Sequence, residues 1–225
     1  CNVPRCGDGI IDILNNETCD DGNNIGGDQC SAICRPENCE GGSVSDVNGT
    51  CTFTFYPLKG DGYVGRIGDT GWSAARNSST GTVASSGEFT FKVHAAHNLN
   101  TNSYTLHRAF IPFDTNPIPN NGIVTNAKLK IFANNSINTD INGDGNTSSY
   151  GFMVIVDAFQ TDTNSLSSSE FNKIGPTEYT NRKFMTNFST QYDFNFNYVS
   201  IINKFGITKL GLRTGYDLFN IPIGN

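Results

Sequence analysis

Charge is scarce in this chain. Lys, Arg, Asp and Glu make up 16% of its 225 residues, against about 25% in ordinary soluble domains. Basic residues are the scarcer sign, 15 against 21 acidic, for a net charge of −6. That balance argues against a nucleic-acid partner, which needs clustered Lys and Arg. No apolar run approaches the roughly 20 residues needed to cross a bilayer, so no transmembrane segment is expected. Long 3.6-residue apolar periodicity is missing too, and little helix should form. No GxSxG, HExxH or phosphate-loop pattern occurs, so no catalytic constellation announces itself. The first residues lack a signal-peptide pattern, and the abrupt start at Cys1 reads as a processed end.

Cysteine is absent after Cys51, yet seven cysteines crowd the residues up to it. This is a disulfide framework on a segment too small to build its own core, and it implies an oxidising, extracytoplasmic compartment. Six of the seven, Cys6, Cys19, Cys30, Cys34, Cys39 and Cys51, are expected to form three bridges. Spacing alone does not assign the pairs. Cys1 is the natural orphan, as a lipid-modified terminus or as the last cysteine of a preceding unit. The spacing Cys1-x4-Cys6 repeats in Cys34-x4-Cys39 and favours the second reading. The chain therefore divides into a disulfide-rich repeat over 1–41, a linker over 42–50 and a β domain over 51–225.

Acidic residues punctuate the glycine turns of the head. Asp8, Asp20, Asp21, Asn23 and Asp28 are candidate calcium ligands, with Asp12 and Glu17 among them. Hard oxygen donors on flexible loops suit Ca²⁺, and like charges crowded together cost energy without a cation. The alternative is that they are ordinary solvated turn residues. Zinc is a poorer match, because the head has no His and no CxxC pairs. Asp140, Asn142 and Asp144 have the DxNxDG spacing of a second calcium loop. Gly151 stands where an EF-hand has its bidentate Glu, so a strand-to-strand calcium loop and a plain Asn/Gly turn both remain open.

The run CGDGIIDILNNETCDDGNNIGGDQCSAIC, Cys6 to Cys34, closely resembles the cysteine-rich repeat of the Myxococcus type. Through its DDGN…GD core it is also similar to the calcium-dependent Lin-12/Notch repeat. The resemblance implies a calcium-stabilised extracellular spacer or interaction module and no enzyme activity.

From residue 51 the pattern changes to short alternating strands. The clearest is Tyr104–Thr115, with Ala109, Ile111 and Phe113 on one face and Arg108 and Phe110 on the other. Ala127–Ala133 follows, with Leu129 and Ile131 inward and Lys128 and Lys130 outward. Gly151–Phe159 is apolar on both faces and should be interior. Phe89, Phe91 and Val93, then Phe194, Phe196 and Tyr198, then Leu210 and Leu212, complete the set. Ser165–Asn172 is the best short helix. The fold class predicted is mainly β: a jelly-roll-like antiparallel β-sandwich preceded by a small disulfide-rich, loop-dominated module.

The segments DGYVGR, YTLHRAFIPFDTNPIP, NAKLKIF and KLGLRTGYD resemble the DNRLRE-type β-sandwich, which overlaps the carbohydrate-binding modules of family 96. The resemblance spans most of residues 60–215 and implies a surface domain, in some members polysaccharide-binding. Such domains close with one more strand after GLRTGYD. An open edge is therefore expected, at Leu210–Thr214 or whichever strand lies outermost, completed by further residues or by a neighbouring molecule. Self-association into a surface fibre or stalk is the alternative function.

Sugar binding calls for an aromatic platform. Trp72, the single tryptophan, sits in a glycine-rich stretch with Tyr63 and Arg76 as companions and Tyr150 as a further aromatic. It is either that platform or a plug of the core. The three histidines, His94, His97 and His107, carry no motif. In an extended chain His94 and His97 face opposite ways, so they make no metal pair. The function expected is a non-catalytic extracellular or cell-surface module that binds a polysaccharide or cell-surface glycan, held together by disulfides and calcium.

Overall fold

A computed structural model describes residues 5–15, 17–25, 30, 33–35, 43–44, 51–87, 91–118, 123–133, 149–184 and 191–223. The expected ligands Asp28, Asp140, Asn142 and Asp144, together with Cys1 and Cys39, lie outside them. The chain forms two compact units, one of residues 1–55 with 117–120 and one of the remainder. Each stands on different physics.

The described residues of the head form little regular structure. Ile13–Asn15 makes one 3-10 turn, and β1 (Ser43–Val44) pairs with β2 (Cys51–Thr52). Cys6 bonds to Cys34 and Cys19 to Cys30, one bridge nested inside the other. Cys51 is disulfide-bonded as well. Cys30, Cys34 and Glu17 are buried, while Ile10, Ile11, Ile13, Leu14, Ile25 and Ile33 face solvent. Covalent cross-links replace a hydrophobic core here.

The larger unit is antiparallel β. Its strands are β3 (Gly62–Asp69), β4 (Val83–Ser86), β5 (His94–Asn98), β6 (Ser103–Asp114), β7 (Lys128–Phe132), β8 (Phe152–Ala158), β9 (Ile174–Glu178), β10 (Lys183–Phe184), β11 (Gln191–Asn195) and β12 (Ile207–Thr214). Two short helices join them, α1 (Trp72–Asn77) and α2 (Gly215–Phe219). The main sheet runs β10-β8-β12-β6-β3-β4, with β5 also on β6 and β9 also on β8. The pair β7–β11 makes a second, smaller sheet whose buried residues, Ile131, Tyr192 and Phe194, share one face. The mainly β, antiparallel sandwich expected from the strand pattern is what forms.

Strand β6 is the axis. Every residue from Leu106 to Phe113 is buried, on both faces. On one face Leu106 and Phe110 join Val64, Trp72, Ala75, Phe152, Val154, Val156, Phe171 and Tyr216 in a single cluster. Strand β8 is likewise interior, as its doubly apolar sequence requires.

Four details differ from the sequence reading. The short helix expected over Ser165–Asn172 is only a 3-10 turn, Ser168–Glu170. Residues 91–93 are not strand, and β5 starts only at His94; Phe89 lies outside the described residues. Tyr198 is exposed, because β11 ends at Asn195. Strand β12 is not an edge at all: β6 pairs with it along one side and β8 along the other. After GLRT the chain turns into α2 instead of another strand. Thr214 caps that helix by accepting the Asp217 N–H, and Asn220 ends it in the left-handed conformation. The open edge expected at Leu210–Thr214 is therefore filled by this chain's own strands.

Burial of charge explains the turn. Asp217 is fully buried and accepts four N–H bonds, two from Arg108 on β6 and two from Arg213 on β12, at 2.7–2.8 Å. The spare donors of the two arginines reach the carbonyls of Phe171, Arg76, Gly175 and Asp217 itself. Arg76 on α1 closes the set by donating to the carbonyls of Asp217 and Leu218. Burial pushes the Asp217 carboxyl up, but the Arg108 and Arg213 guanidiniums outweigh it and hold it at about 2. Replacing Asp217 by Asn should cost about 3–5 kcal/mol, because two buried cations lose their anion; urea unfolding reads the loss. A depressed folded pKa contributes stability above the unfolded value and loses it as pH falls. The wild type should therefore lose stability from pH 3.8 down to about 2 more steeply than the Asp217→Asn protein.

Candidate functional site

In the head, the described side chains expected to hold calcium, Asp8, Asp20, Asp21 and Asn23, accept bonds from backbone amides. Asp20 accepts the amide hydrogens of Gly7, Asp8, Gly9 and Gly22 at 2.8–3.2 Å. Four donors fill about all the lone-pair positions a carboxylate has. Asp8 accepts from Ile10, Asp21 from Asn23, Asn23 from Ile25 and Asp12 from Leu14, each two residues on. These are Asx turns, in which a short polar side chain satisfies its own loop. Glu17 accepts the Asp12 amide. Ligand atoms of Glu17, Asp20 and Cys34 lie within 4.8 Å of one another, but the Cys34 sulfur is spent in a disulfide. Ca²⁺ takes six to eight oxygens, and this group does not make a ready cage for it.

The three residues nominated for sugar binding do not meet in one site. Trp72 is buried in α1, edge-on to Tyr104, with its indole N–H donated to Asn220. It plugs the core and has no open face for a ligand. Arg76 is committed to the carbonyls of α2. Tyr63 neighbours Val64 on β3 and so points to the opposite face of the sheet, against His107.

Open aromatic surface lies elsewhere. Phe184 on β10 and Phe219 on α2 are 52% and 41% exposed. They flank the buried Phe152, with ring centroids 5.7 and 6.2 Å from it, and Tyr150 lies 5.9 Å from Phe219. The Arg182 guanidinium sits 4.7 Å above both the Phe152 and the Phe219 rings. Glu178 holds it bidentately at 2.8 Å. The result is an apolar, flat-ringed surface with fixed donors and acceptors beside it. Of its members the sequence reading had Tyr150 alone. Phe184, Phe219 and Arg182 belong to a two-residue strand, a one-turn helix and a loop, where no periodicity marks them.

A second group forms where β5 crosses β6. His94 and His107 are directly opposed in the register, with ring centroids 5.8 Å apart. Burial, then the neighbouring His94 and Lys92, push His107 down to about 4. His94 is exposed as a residue, yet partial desolvation of its ring by the surrounding protein, and then Lys92, push it down as well. His97, by contrast, stacks on Tyr104 and bonds Asn102.

Searches against protein-family models, curated proteins and solved structures found no match to this chain.

The Asp20 geometry is open to a direct test. The Gly22 amide first, and then those of Gly9, Gly7 and Asp8, hold its carboxyl below the usual 3.8. In an acid titration followed by amide NMR, the Gly7, Gly9 and Gly22 signals should shift together with a midpoint below 3.8. In Asp20→Asn that shared transition should vanish.

Proposed function

We propose that this chain is a non-catalytic, extracytoplasmic module, secreted or displayed at a cell surface, that binds polysaccharide. The exposed aromatic surface formed by Tyr150, Phe184 and Phe219 around the Arg182–Glu178 pair carries the reading. A sugar ring has one apolar face and a rim of hydroxyls. Flat rings meet the first, and a bidentate Arg–carboxylate pair offers donors and acceptors to the second. Contacts with the buried Phe152 ring and the Glu178 carboxylate hold Arg182, Phe184 and Phe219 in place, which lowers the ordering cost of binding. The resemblance of residues 60–215 to polysaccharide-binding sandwiches supports the same reading. The cross-linked head suits a spacer in an oxidising environment.

The test is a polysaccharide array followed by affinity electrophoresis on the strongest hit. Phe219→Ala should weaken binding about tenfold or more, which corresponds to 1.4 kcal/mol. Phe205→Ala, an exposed ring outside the cluster, should leave it unchanged. Absence of any hit, or equal binding by the Phe219 variant, would overturn the proposal.

Calcium enters this proposal as a stabiliser of the head. A ligand that binds only the native state raises its melting temperature, so calcium-loaded protein should melt above chelated protein. Equal melting would leave the disulfides and Asp20 as the staples of that unit.

A further inference from the structure

We propose that His94 and His107 form a two-imidazole site for a divalent transition-metal ion of the copper, nickel or zinc kind. The two residues sit opposite each other on antiparallel β5 and β6. Directly opposed Cβ atoms in such a pair are about 4.5–5.5 Å apart. Imidazole nitrogens bind these metals at about 2.0–2.1 Å, so one ion can bridge two rings whose centroids lie 5.8 Å apart.

The ring of His107 is set for this. It is 7% exposed, and its Nδ1 is buried without a hydrogen-bond partner. An unsatisfied buried polar atom costs free energy, so this nitrogen calls for an occupant that the described residues do not supply. Its direction follows from the packing. The Cδ2 and Nε2 edge lies against Gly65 on β3, where even a Cβ would collide with the ring. The Nδ1 edge therefore faces away from β3, towards β5 and His94. Tyr63 packs edge-on at 5.2 Å and holds the ring plane. His94 is solvent-exposed, so its ring turns at little cost and opens the way in.

The donor atoms select the metal. Lys92 reaches over the Tyr63 ring, 5.1 Å from its centroid. Among the described residues no carboxylate joins the pair, and nitrogen donors alone disfavour calcium and magnesium, which need oxygen donors. Metals that bond well to imidazole nitrogen remain. Two protein ligands leave the other coordination positions to water or to a bound partner.

The full chain titrated with Cu(II) should bind one equivalent whose electron paramagnetic resonance spectrum shows two nitrogen ligands. Calcium in excess should not displace it. His94→Ala removes the exposed ring and leaves the buried one, so folding should survive. It should weaken binding by more than about tenfold, at least the loss caused when outer partners of metal ligands are removed. Lys92→Ala should tighten binding, and His97→Ala should leave it unchanged. Binding by His94→Ala equal to wild type, loss of binding in His97→Ala, or no stoichiometric binding by the wild type would overturn the assignment.

Discussion

The β unit depends on one carboxylate. Asp217 lies between two arginines that belong to adjacent central strands, Arg108 on β6 and Arg213 on β12. Its own backbone is the first turn of α2, and Arg76 ties that helix to α1. Four elements thus converge on a single buried anion. Three guanidiniums against one carboxylate leave an excess of positive charge. Buried ions are tolerated only when their remaining hydrogen-bonding groups are filled. Here carbonyls fill them, and the Phe171 ring faces Arg108 at 4.2 Å. The arrangement demands one register between β6 and β12, because a slip by one residue would send an arginine to the other face. That requirement, more than any apolar contact, explains why the chain turns into a helix after Thr214.

The head solves a different problem. It buries too little apolar surface to offset the entropy of ordering its loops. Nested disulfides shrink its unfolded ensemble. Asp20 then acts as an internal anion for four amides that would otherwise need water. The described acidic residues Asp8, Asp12, Glu17 and Asp21 likewise accept backbone amides.

Both proposed sites lie where the sandwich scaffold meets solvent. The aromatic surface draws on β8, β10 and α2, and the histidine pair on β5 and β6. Neither disturbs the Asp217 cluster, whose members are buried and mutually satisfied.

The sequence by itself determined the strand-rich class, the interior character of Gly151–Phe159, the inward face of Leu129 and Ile131, and the confinement of the disulfides to the head. Each is a local property: a side-chain period, an apolar run or a cysteine count reports burial without knowledge of the partner strand. Arg108, Arg213 and Asp217 read locally as polar residues on alternating strands and in a turn, and only the tertiary structure decided that they are buried together. The same holds for Trp72: its sequence fits platform or plug, and only α1 seats it against Tyr104. Sequence distance pairs His94 with His97, three residues away, whereas its neighbour across the sheet is His107, thirteen residues on, brought opposite by the β5–β6 register. Strand pairing joins residues distant in the chain, and that pairing is set by the balance of the whole sheet, which no window of sequence contains.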